Sequence, residues 1–210
     1  AAGTAMRFMT AYLSVTPGEH TITGTERMRH RPIRVLVDAL RTLGADIQYT
    51  DEEGYPPLHI NGHSLEGGIL TIPGDVSSQY ISALLMVGPT MKKGLTLRLS
   101  GDIVSRPYID LTMHVMHEFG ISVDWTNVDT ISVEHQGIHE QPYTIENDWS
   151  ASSYWYEILA MLDDRESTVR LPGLKDGTRQ GDSAVRYLYS MLGVKTAFDS
   201  KGEVVLTRHS

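Results

Sequence analysis

Apolar positions along the chain follow one plan three times. In "IRVLVDALRTLG", Leu36, Leu40 and Leu43 fall at helical spacing before Gly44. "LTMHVMHEFG" ends in the same way at Gly120, and "AVRYLYSMLG" at Gly193. A glycine straight after an amphipathic run suits a left-handed helix C-cap. The alternating residues beyond each glycine predict a hairpin of short strands. The three glycines lie 76 and 73 residues apart, so the plan is a repeat.

Upstream of each helix lies a second shared piece: a small-residue loop, an apolar helix, a turn and a strand. Copies two and three are preceded by further predicted strands, "GGILTIP" and "QPYTIE", whereas copy one starts at its loop. The predicted unit is strand–helix–strand–helix–strand–strand. The first copy is expected to be cut, and a natural edge lacking one strand is the competing reading. The opening Ala1-Ala2-Gly3-Thr4 has no initiator methionine, which is expected of a processed chain or a piece of a longer one. Strands alternating with helices give an α/β or α+β fold. Helices packed inside with sheets outside would cover the apolar faces, as would a doubly wound sheet; periodicity leaves both open.

Composition narrows the chemistry. The chain has 210 residues, 40% hydrophobic and 21% charged, with a net charge of -8 and no cysteine. This excludes disulfide scaffolds, cysteine nucleophiles and thiolate metal sites, and the acidic balance argues against sequence-independent nucleic-acid binding. No apolar run reaches the roughly 18 residues of a membrane span, so a cytoplasmic globular protein is expected.

Small polar residues recur just ahead of the first helix of each copy: Gly3-Thr4, Ser77-Ser78-Gln79 and Ser150-Ala151-Ser152-Ser153. Amides and hydroxyls there favour an anion such as phosphate or carboxylate, although ordinary N-capping explains them too. Arg27, Arg29, Arg31 and Arg34 crowd one turn, with Arg7 nearby. They form either a clamp for oxyanions or a solvated basic turn. The equivalent turn of copy two supplies Ser105, Arg106 and Tyr108. His114, His117 and Glu118 lack the spacing of a zinc hydrolase. Glu146 and Asp148 read as a strand-end charge and a helix cap sooner than as an acid–base pair, and Trp149, Tyr154, Trp155 and Tyr156 as helix packing.

Five ordered motifs, "AGTAMR", "TGTERMRHRPI", "YPPLHING", "SSQYISALLM" and "GDIVSRPYIDLT", resemble the 5-enolpyruvylshikimate-3-phosphate synthase family. "IENDWSASSYW" and "RQGDSAVRYLYSMLG" extend the likeness more loosely. The resemblance implies repeated βαβαββ units in an inside-out α/β barrel of the enolpyruvyl transferase type, with two lobes and roughly twice this length. Residues 1–145 would be part of the N-terminal lobe, its second unit without the first strand and its third unit. Residues 146–210 would be the first unit of the C-terminal lobe. The family moves the enolpyruvyl group of phosphoenolpyruvate to the 5-hydroxyl of shikimate 3-phosphate in aromatic amino-acid biosynthesis, without metal or organic cofactor.

By motif, Ser77, Ser78, Gln79, Ser105, Tyr108 and Thr4 are expected at shikimate 3-phosphate, and Gly3, Arg27 and Gln79 at phosphoenolpyruvate. Arg7 is a second-rank candidate. Neither nucleic acid nor membrane is expected as partner, and the full-length protein is expected to be a monomer. Two departures stand out: Phe8 replaces the family's usual proline, and "NDWSASS" is an atypical turn. The family's proton-handling residues are not among the motifs of this chain, so it is expected to be inactive alone, with no catalytic residue assigned. The sister UDP-N-acetylglucosamine enolpyruvyl transferase, or a non-catalytic phosphate-binding domain, are the alternative readings.

Overall fold

The computed structural model describes residues 2–164 and 166–208. Backbone contacts divide the chain into two compact units, Ala1–Gln141 and Pro142–Ser210, each with its own hydrophobic core.

The first unit opens with helix α1 (Gly3–Val15), strand β1 (Gly18–Ile22) and the single turn α2 (Glu26–Arg29). Helix α3 (Arg34–Thr42) and the hairpin β2 (Asp46–Tyr49) and β3 (Leu58–Gly62) follow. The second copy then runs β4 (Gly68–Pro73), α4 (Ser78–Val87), β5 (Leu95–Ser100), α5 (Arg106–Glu118), β6 (Val123–Asn127) and β7 (Thr130–Val133). The predicted C-caps form. Gly44 and Gly120 adopt φ of 104° and 76°. The amides just beyond them reach back into the helix, Ala45 to the Leu40 carbonyl at 2.9 Å and Ile121 to the Met116 carbonyl at 3.0 Å. Only a residue without Cβ holds that left-handed position cheaply, so each helix stops where its glycine stands.

One sheet has the order β1-β3-β2, all antiparallel. The other has the order β4-β5-β7-β6, with only β4 and β5 parallel. Strand β5 turns Leu95, Leu97 and Leu99 inward and Thr96, Arg98 and Ser100 outward. Leu97 stands opposite Leu70 on one side and Ile131 on the other, and all three are buried. Such alternation leaves one sheet face to water. The buried face meets the helices, and α4 packs against α1, α3 and α5 at once. Every residue of α4 from Tyr80 to Leu85 is buried. Helices inside and sheets outside is therefore the arrangement of this unit.

The second unit holds α6 (Trp149–Met161), β8 (Thr168–Leu171), α7 (Val185–Ser190), β9 (Val194–Phe198) and β10 (Val204–Arg208). Its sheet is antiparallel in the order β8-β10-β9. Trp149, Tyr156, Leu159, Val194, Val204 and Leu206 build the core.

Three expectations need correction. The strand expected at "QPYTIE" does not form. Pro142 removes a ladder donor, and Tyr143 and Ile145 stay exposed, so no buried face rewards pairing. Just beyond that segment the chain is anchored through the Asn147 amide to Gly173 O at 2.8 Å. The aromatic cluster splits: Trp149 and Tyr156 are fully buried, whereas Tyr154 and Trp155 are exposed. Finally, α1 starts at Gly3, α4 at Ser78 and α6 at Trp149, so of the small residues expected ahead of these helices only Ser77 precedes its helix, and the others lie inside the helices.

Candidate functional site

The starts of α1, α4 and α5 open on one cavity. It measures about 610 Å³ and is lined at that end by Thr4, Ser78, Gln79 and Tyr108. Phe8, Ser82, Met86, Thr112 and Met116 line it further along the helices. Thr4 belongs to the first turn of α1, Ser78 and Gln79 to that of α4, and Tyr108 to that of α5. Three helix N-termini therefore share one end of the cavity. Each start carries a partial positive charge of roughly half an elementary unit, although the amides of Gln79, Tyr80 and Tyr108 already have partners. None of the three carries an acidic residue in its first turn. None of the residues lining the cavity is charged, while Arg7 and Arg31 approach the same helix starts.

Side chains tie the helix starts together. Gln79 donates from Nε2 to Thr4 Oγ1 at 2.9 Å, and Arg7 donates to Gln79 Oε1. The Arg7 guanidinium lies 4.8 Å from the centroid of the Tyr80 ring, and Tyr80 is buried with its hydroxyl on Pro32 O at 2.8 Å. Between α4 and α5, the hydroxyls of Ser82 and Thr112 meet at 2.7 Å.

The other expected site residues lie around this end. Ser77 is the N-cap of α4, with a long 3.4 Å bond from the Gln79 amide. Ser105 is the N-cap of α5 and makes no capping bond. Gly3 neighbours Thr4, and a side chain there would collide with the guanidinium of Arg31. That approach is possible only because Gly3 lacks a Cβ. Arg27 stands exposed on α2 and outside the lining of the cavity.

The arginine cluster separates by partner. Arg29 pairs with Asp51 at 2.6 Å and Arg34 with Glu53 at 2.7 Å, both at the surface. Those two belong to the solvated turn. Arg31 and Arg7 reach the helix starts, and spacing alone did not distinguish them. One signal was available: Arg7 lies one helical turn after Gly3 and Thr4, on the same face of α1.

Elsewhere the candidates have structural work. His117 Nε2 sits 2.7 Å from Val123 O, and His114 faces Glu118 at 4.0 Å. Asp148 caps α6 by accepting from the Ser150 amide at 2.8 Å, as its position suggested. Glu146, expected as a strand-end charge, ends no strand. It accepts from Trp149 Nε1 at 2.8 Å, the Lys175 amide at 2.9 Å and Thr178 Oγ1 at 2.6 Å. Burial works to raise its pKa, but the bonds from Thr178, Lys175, Trp149 and Gln180 together hold it below the ordinary value.

A model of the family EPSP synthase (3-phosphoshikimate 1-carboxyvinyltransferase) matches residues 1–207. The chain belongs to the EPSP synthase family. A 3-phosphoshikimate 1-carboxyvinyltransferase of Bacteroides fragilis is 56% identical over 202 residues, which is 96% of this chain and 49% of that protein. The enzyme of that name from a Marinomonas species is 39% identical, over 94% of this chain and 46% of its own length. The chain thus spans about half the length of the curated relatives it matches.

An EPSP synthase structure from Acinetobacter baumannii superposes with a TM-score of 0.73 at 23% identity, covering 99% of this chain and 46% of that one. The enolpyruvyl transferase NikO from Streptomyces tendae gives 0.63 at 15% identity, over 96% and 46%. These two likenesses establish the enolpyruvyl transferase fold. The family match also favours the synthase over the UDP-N-acetylglucosamine transferase. Among the described residues, no helix is long and apolar enough to cross a membrane.

Proposed function

We propose that this chain carries part of the substrate site of an EPSP synthase. The whole enzyme would transfer the enolpyruvyl group from phosphoenolpyruvate to the 5-hydroxyl of shikimate 3-phosphate and release inorganic phosphate. In this reading residues 1–145 belong to the N-terminal lobe and 146–210 begin the C-terminal lobe. The observation that carries it is the meeting of Thr4, Ser78, Gln79 and Tyr108 at one cavity end where three helices start.

Shikimate 3-phosphate has the chemistry for that end. Its phosphate accepts from the hydroxyls of Ser77, Ser78 and Ser105 and from free helix amides. Its ring hydroxyls suit Thr4, Gln79 and the Tyr108 phenol. Gly3, Gln79 and Arg27 take the edge next to it, where phosphoenolpyruvate brings a carboxylate and a second phosphate. Arg27 there binds and polarises and does not shuttle protons. The proton-transfer groups are not assigned to this chain, so it binds without turning over.

Calorimetry with shikimate 3-phosphate tests the site. Binding is expected in the wild-type chain and about tenfold weaker binding in Ser78→Ala, the loss that follows from removing a hydrogen bond to a charged acceptor. Absence of wild-type binding overturns the proposal for this chain. A phosphate-release assay with both substrates is expected to stay at background.

A further inference from the structure

The side chain of Gln79, which stands on α4, reaches Thr4 and Arg7 of α1, and its amide has two ends with opposite character. The carbonyl accepts and the NH2 group donates, and a half-turn about the last side-chain bond exchanges them. Which end faces the cavity decides whether an anion is attracted or repelled. Thr4 does not settle this, because a hydroxyl donates or accepts equally well. Arg7 does. A guanidinium has donors only, so the atom it meets must be the Gln79 carbonyl oxygen.

Arg7 is itself held. Its guanidinium lies over the face of Tyr80 at 4.8 Å, and Tyr80 is pinned by burial and by its bond to Pro32 O at 2.8 Å. A chain of contacts thus runs from the Pro32 carbonyl through Tyr80 and Arg7 to Gln79 and Thr4. We infer that Arg7 is a positioning residue: it locks the amide of Gln79 so that the NH2 group stays available to an oxyanion ligand at the starts of α1 and α4. One N–H serves Thr4 at 2.9 Å, and the second is left for a ligand oxygen. The inference rests on the site reading given under Proposed function, and it adds a role for a residue that need not touch the substrate.

The test compares Arg7→Met, which keeps bulk over Tyr80 but has no donor, with Arg7→Lys, which keeps a donor-only cation. In the isotope-labelled 210-residue chain without ligand, the side-chain amide signals of Gln79 are read by NMR. They are expected to move and broaden in Arg7→Met and to return towards wild type in Arg7→Lys. Titration with shikimate 3-phosphate is expected to be about tenfold weaker in Arg7→Met, the scale of one charge-assisted hydrogen bond, and within about threefold of wild type in Arg7→Lys.

Unchanged Gln79 signals in Arg7→Met overturn the inference. So does a changed signal with undiminished binding. A wild-type chain that does not bind shikimate 3-phosphate counts against the proposed function, and the ligand-free spectra then decide the role of Arg7 by themselves. Rescue by lysine separates positioning from a general loss of folding, since a packing defect at Arg7 would not depend on the donor.

Discussion

Helices α4 and α6 occupy the same place in two copies of one plan, yet they differ in how far they are covered and in the charge of the residue that caps them. Helix α4 is covered on almost every side and starts with Ser77, a neutral cap whose bond is long at 3.4 Å. Helix α6 buries Trp149, Ser152, Tyr156 and Leu159 along one face and leaves Tyr154, Ile158 and Met161 exposed. Its start is closed by Asp148, a carboxylate at 2.8 Å from the Ser150 amide. The lesson concerns charge. A helix whose cap is an anion has already taken its anion, whereas one capped weakly by a hydroxyl still has amides to offer. Repeat ancestry explains the shared position of the small residues, and the cap is where the two copies differ in charge.

The largest break in this comparison is in the core. Leu84→Ala in α4 is expected to cost about 2–5 kcal/mol, because Leu84 is fully buried. Ile158→Ala, at an exposed position of α6, should stay within about 0.5 kcal/mol. Urea unfolding of the two variants measures the difference, and equal effects would undo the contrast in burial. Next in size is a transplant of the cap. Ser77→Asp gives α4 the carboxylate that α6 has, and it should weaken shikimate 3-phosphate binding by at least about tenfold in calorimetry while keeping the helix capped. Undiminished affinity would mean that the start of α4 is not where the anion goes.

The smallest effect is in the pH dependence of the second unit. Glu146 has its folded pKa held down by its donors. The stability it contributes is therefore present above the unfolded value and lost as pH falls through the folded value. Trp149 fluorescence during urea unfolding at descending pH, from about 6 to about 3, should show a loss that Glu146→Gln flattens. A slope unchanged by that substitution would remove Glu146 from the account.

Much of the fold was legible because local signals and burial agree. Gly44 and Gly120 end their helices at the residues where amphipathic spacing stops, and β5 alternates in sequence as it does in burial. The segment before Asn147 alternates too, but with Pro142 in it and Ile145 exposed it forms no strand. Period alone does not say what covers a strand. At the candidate site, the positions of Ser78, Gln79 and Thr4 at helix starts could be read from small-residue placement. The sorting of the arginines could not, since Asp51 and Glu53, which hold Arg29 and Arg34, come from a loop some twenty residues on.

The shared orientation of α1, α4 and α5 has a cost as well as a use. Like poles set side by side repel, and these helices bring no first-turn carboxylate to ease that repulsion. The first unit thus folds with a local frustration at the mouth of its cavity, tolerated because the buried helix flanks hold the poles together. In the proposed site, a bound anion would offset that repulsion as well as meet the helix starts.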